Sequence, residues 1–111
     1  MKDYYNLFVQ FSLQQCTKND YADKQKVKAH NVASKKLLQL QDEMKQIDCI
    51  DILYDLMSHG DDRVKINAAT LCLQMKVHNE MALIVLNKII DASSDPTMRF
   101  SAKMVLQSIS Q

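Results

Sequence analysis

One glycine and one proline stand in 111 residues, and tryptophan is absent. So few turn formers exclude a chain of β-hairpins or a long disordered linker, and leave an all-α fold as the default. Gly60 and Pro96 both fall at junctions between apolar-periodic segments. The cysteines Cys16, Cys49 and Cys72 are odd in number, far apart and without a CxxC pair. They read as small buried thiols of a reducing compartment, not as a disulfide framework or a zinc site. The opening MKDYYNLF has no long apolar core, so neither a signal peptide nor a membrane span is expected, and the expected location is cytoplasmic. Nor is there a nucleophile beside a base, a Gly-rich phosphate loop or a pair of carboxylates set for a pocket. No enzyme activity, cofactor or metal is expected. His30, His59 and His78 lack ligand spacing and read as surface or capping groups.

Charge of one sign is also missing overall, since the formal net charge is +1. It is unevenly placed, however: residues 18–45 carry a balance of +3 and residues 46–95 a balance of −4. Such asymmetry steers partners more than it decides a fold.

What is present is helical periodicity. In DDRVKINAATLCLQM, from Asp61 to Met75, the residues Val64, Ala68, Leu71, Cys72 and Met75 lie on one helical stripe. Gly60 reads as a left-handed stop for the preceding helix, and Asp61 or Asp62 as a cap for the next one's free amides. The pattern returns 34 residues later, Asp95 answering Asp61, Met98 answering Val64, Arg99 answering Lys65 and Ala102 answering Ala68. Carried backwards, the same offset sets Ile50, Ile52 and Leu56 against Ile84, Leu86 and Ile90.

Taken in order, the chain predicts six helices. The first runs from about Asp3 to Cys16, with Tyr4, Leu7, Phe8 and Phe11 inward. The second is capped by Asn19 or Asp20 and reaches about Lys45, with Ala29, Val32, Ala33, Leu37, Leu40 and Met44 as its core side. The third spans Ile47 to Ser58 and packs Ile50, Leu53, Leu56 and Met57; the fourth is the stretch already described. The fifth, Asn79 to Ala92, contains MALIVL and is expected at the centre of the core. The sixth runs from Pro96 to about Ile109. Most of the seven methionines fall on core stripes, whereas Met104 falls on a polar row. Paired helices repeating at this period belong with α-solenoids. One domain is expected, with a degenerate pair at 1–46 and repeats at 47–77 and 79–110.

Asp, then Val or Met, then Lys or Arg, then Ala at this spacing resembles the second helix of a HEAT repeat. Across almost the whole chain the order of signals also resembles a small bacterial HEAT-like family of unknown function. The matching pieces are HNVASKKL with Asn31, ILYDLMSHGDDRVKINAA from Ile52 to Ala69, and FSAKMVL from Phe100 to Leu106. Lys65 stands where that pattern has Arg, and no tryptophan lies near the C-terminus. The resemblance implies a short right-handed solenoid and no catalytic residues. Some small families of this type resemble immunity proteins of bacterial toxin systems.

The candidate binding residues are what remains once the core stripes are removed. The fourth helix leaves Arg63, Asn67, Thr70 and Gln74 in a row; the sixth leaves Thr97, Ser101, Met104 and Ser108; the second leaves Lys24, Lys28, Asn31 and Lys35. Second helices of a solenoid line its concave face, where a protein partner binds. Each row is otherwise an ordinary solvated face. The pairs Asp61/Lys65 and Asp95/Arg99 have i, i+4 spacing with the acid first, which suits a structural role. If the partner is a toxin nuclease, its basic cleft is expected to meet the acidic stretch of Asp48, Asp51, Asp55, Asp61 and Asp62. The alternative expectation is nucleic-acid binding by the lysine row, with Tyr21 the one aromatic near it.

Overall fold

The computed structural model describes the backbone of residues 2–15 and 24–109. Six α-helices stand among the described residues: α1 (Tyr4–Gln15), α2 (Lys24–Met44), α3 (Ile50–Met57), α4 (Asp62–Met75), α5 (Asn79–Ala92) and α6 (Pro96–Ile109). The fold is all-α. None of these helices is long and apolar enough to cross a membrane. The expected cap at Asn19 or Asp20, together with Cys16, Tyr21 and the side chains of Lys24 and Ala29, lies outside the described residues.

The chain divides into two compact units, Met1–Cys49 and Ile50–Gln111. In the first, α1 packs along α2. Asp3 opens α1 by accepting from the Asn6 amide at 3.1 Å. Phe8 and Ser12 are its buried positions. The Lys36 ammonium lies 5.9 Å from the Phe11 ring centre and Gln15 Nε2 donates to Ser34 Oγ, so polar contacts border the apolar seam on α2. That seam is Ala33, Leu37, Leu40 and Met44. Val32, expected among them, is exposed, because its place on the turn falls outside this narrow stripe.

In the second unit α4 is the central helix, touched by α3, α5 and α6. Beyond the expected Val64, Ala68, Leu71 and Cys72 it also buries Ile66 and Ala69. The expectation that α5 holds the centre is therefore corrected. α5 buries Ala82, Leu86 and Ile89, while Leu83 and Ile84 are exposed. An apolar run fixes which residues favour burial but not how many neighbours a helix has; α5 packs on α4 and α6 and keeps an outer face. Ile50, expected in the core, likewise lies on the outer face of α3.

The internal repeat has two registers. Val64 and Ala68 match Met98 and Ala102 at the expected 34 residues, all four buried. The first helices match at 33: Leu53 and Leu56 are buried like Leu86 and Ile89, and Ile50, Asp51, Tyr54 and Asp55 are exposed like Leu83, Ile84, Asn87 and Lys88. One more residue separates Ile89 from its capping Asp95 than separates Leu56 from Asp61. Carrying the 34-residue offset backwards therefore slips by one position.

From α3 onward, helix ends follow the expected residues with two exceptions. α3 begins at Ile50 and not Ile47, since Gln46 and Ile47 still turn back onto Glu43 and Met44. Gly60 takes no left-handed conformation. Instead α3 closes through Ser58 and His59 amides on the Asp55 and Leu56 carbonyls. The left-handed residues are Lys76 (φ 59°) and His78 (φ 49°). At Lys76 the amides of Lys76 and Val77 reach the carbonyls of Leu73 and Cys72, the Schellman pattern built without glycine.

Candidate functional site

The two polar rows of the second unit meet. Arg63, at the first turn of α4, extends to α6, where Nη2 donates to Ser101 Oγ at 3.4 Å. Its Nε–H is buried without a partner among the described residues. A buried cationic donor left unpaired is costly in a low-dielectric setting. Asn67 and Thr70 are half-buried and Gln74 exposed along α4; on α6 Ser101 is half-buried, with Thr97, Met104 and Ser108 exposed. The Thr70 hydroxyl turns back onto the Ile66 carbonyl at 2.7 Å, and Ser108 Oγ onto that of Val105. The strip thus consists of one guanidinium among neutral amides and hydroxyls, interrupted on α6 by the exposed Met104.

The lysine row lies in the first unit. Lys28, Asn31 and Lys35 are all exposed on α2. Beside them His30 Nδ1 meets the Gln15 carbonyl at 2.9 Å. The other histidines also serve junctions. His59 Nδ1 accepts the Asp61 amide, and His78 meets the Ile50 carbonyl at 3.2 Å while its ring sits 5.6 Å from that of Tyr54.

The acidic stretch divides by task. Asp61 caps α4, its Oδ1 accepting from the Arg63 and Val64 amides at 2.9 and 3.2 Å. Asp62 accepts from Ser93 Oγ at 2.7 Å. Asp95 accepts the Thr97 amide, and Arg99 Nη1 donates to the Ser93 carbonyl. Asp61 and Asp95 act as caps, and among the described residues neither forms an i, i+4 ion pair with Lys65 or Arg99. Asp51 and Asp55 are left exposed, one turn apart on α3. Cys49 and Cys72 are buried thiols, and desolvation pushes the Cys49 thiol above its usual range.

One feature had no sequence signal. An open groove of about 580 Å³ is lined by Met57, Met81 and Val85 together with Lys65 and Lys88. Periodicity could not show it, because its two lysines belong to different helices in different registers.

A family model described as a domain of unknown function (DUF2019) matches residues 2–110. The chain belongs to the DUF2019 family. No curated protein and no solved structure gives a significant match. DUF2019 membership thus names the fold's kin without naming an activity, and the reading of its sites rests on the geometry above.

Proposed function

We propose that this chain is a non-enzymatic protein-binding module, built as a short HEAT-like right-handed α-solenoid, whose contact surface is the polar strip along α4 and α6. The observation that carries the reading is the Arg63–Ser101 link, which joins two helix rows into one surface with a half-buried guanidinium in it. Such a strip favours a partner that presents a carboxylate or a backbone carbonyl, since a guanidinium offers donors and no acceptor. Its closest functional analogy is an immunity protein that occupies a bacterial toxin domain and blocks it, with the chain acting in the cytoplasm. The repeated burial pattern supports the solenoid, and the concave face of such arrays is where partners bind. The exposed Lys28 and Lys35 support the alternative of nucleic-acid contact.

The test is capture from the native cell with tagged wild type beside a Gln74→Glu, Ser108→Glu variant, both exposed positions of the strip. The expected result is one stoichiometric protein that binds purified wild type at least tenfold more tightly than the variant and whose toxicity, when expressed alone, is relieved by wild type. Equal binding by both chains removes the strip from the interface. Nuclease-sensitive, salt-labile material held by both transfers the reading to the lysine row.

A further inference from the structure

The outer faces of α3 and α6 carry matching stripes. On α6, Phe100 and Met104 are 63% and 48% exposed one turn apart, and each is preceded by a cation, Arg99 and Lys103. On α3, Ile50 and Tyr54 are 41% and 50% exposed at the same spacing, and each is followed by a carboxylate, Asp51 and Asp55. In α4 the positions equivalent to Phe100 and Lys103 are Ile66 and Ala69, both buried. The repeat therefore places on α6 a face that its own register buries elsewhere.

We infer that the chain associates head to tail with a second copy of itself, the outer face of α3 in one copy lying parallel on the outer face of α6 in the next. Ile50 and Tyr54 then meet Phe100 and Met104, with Asp51 and Asp55 beside Arg99 and Lys103. The handedness of the stripes selects this pairing. Each residue advances the helix by about 100°, so the acidic stripe lies clockwise of its apolar stripe in one helix where the basic stripe lies anticlockwise in the other. Placed face to face, two such helices bring apolar on apolar and acid on base only when they run parallel. Pairing α6 with α6 or α3 with α3 antiparallel would set like charges on one side, which opposes association, and pairing either parallel would part the charges to opposite sides, so neither brings acid onto base. Tyr54 is already held against His78, which lowers the ordering cost of docking it. The contact joins two different faces of one chain, so association is heterologous and grows into a ring or an open filament. An eight-residue helix on two turns of another buries less than the ~1,200 Å² of a stable complex, so assembly depends on concentration and is screened by salt.

The surface borders the polar strip on α6, where Met104 belongs to both, while the α3 face takes no part in the strip. Sedimentation of the wild type over a concentration series is expected to show an average mass rising above the 12.8 kDa monomer and returning towards it at high salt. Phe100→Glu and Asp51→Lys, Asp55→Lys variants are each expected to stay monomeric. Mixed, they should form a one-to-one heterodimer and nothing larger, because the first keeps an intact α3 face and the second an intact α6 face. A wild type that stays monomeric to millimolar concentration overturns the inference, as does a mixture that remains monomeric. Association of either variant alone overturns it in favour of a symmetric dimer. Gln74→Glu alone, an exposed strip position on α4 outside both docking helices, should leave the wild-type mass profile unchanged.

Discussion

α4 and α6 occupy equivalent places in the internal repeat, yet one is enclosed and the other is not. Both open on a capping aspartate, Asp61 and Asp95, and both bury the same pair of positions, Val64 and Ala68 or Met98 and Ala102. They part on the next face. Ile66 is 2% exposed, whereas Phe100, 34 residues on, is 63% exposed. The local pattern is apolar at both places, so propensity alone does not separate them. What differs is the neighbour: α4 has α3, α5 and α6 around it, and α6 has α4 and α5.

The largest expected effect breaks this equivalence directly. Ile66→Ala removes a buried side chain from the central helix and should cost about 2–4 kcal/mol of unfolding free energy. Phe100→Ala deletes more atoms from the matching position and should change stability by no more than about 0.5 kcal/mol. Urea denaturation at low micromolar concentration checks both. Equal costs would mean that α6 is covered as α4 is, and the contrast between the two helices would fall.

A second, smaller effect sharpens the comparison at the helix starts. Asp61 accepts two amide bonds in a half-buried setting, Asp95 one in an exposed setting. Asp61→Ala should therefore cost about 1–2 kcal/mol and Asp95→Ala about 0.5–1 kcal/mol, with Asn restoring most of either loss. Thermal unfolding of the four variants reads the order; a reversed order would show that the second bond adds nothing.

These capping aspartates were legible in the sequence, and so were all six helices, because caps and a 3.6-residue period are local signals. Two kinds of information were not local. The count of neighbours was one, which is why MALIVL suggested a central α5 when α4 takes that place. Insertions between elements were the other: one added residue before Asp95 shifts the first helices to a 33-residue register that no single helix reveals. The same limit applies to the site. Arg63 and Ser101 were both read as polar-row residues, and the structure brings them to 3.4 Å. The Nε–H unsatisfied among the described residues and the groove lined by Lys65 and Lys88 depend on how side chains of separate helices converge, which periodicity does not encode.

The smallest effects concern the two junctions where glycine and left-handed backbone fail to coincide. Gly60, between α3 and α4, has φ outside the left-handed region, and a Cβ there would meet nothing within 4 Å. Lys76, between α4 and α5, closes a Schellman turn at φ 59° with a side chain that disfavours it. A glycine in a conformation that alanine accepts leaves the unfolded chain needlessly free, so Gly60→Ala should add about 0.4–1 kcal/mol. Lys76→Gly relieves the contact of Cβ with the following carbonyl but frees the unfolded chain, so its gain should be no more than about 1 kcal/mol. The two sites lie at opposite ends of α4, share no hydrogen-bond partner, and should add in the double variant. Differential scanning calorimetry would show the sum as a single rise in Tm. A loss at Gly60→Ala would mean that this junction needs glycine for a reason other than φ or space, and the difference between the two ends of α4 would then lie in the unfolded chain.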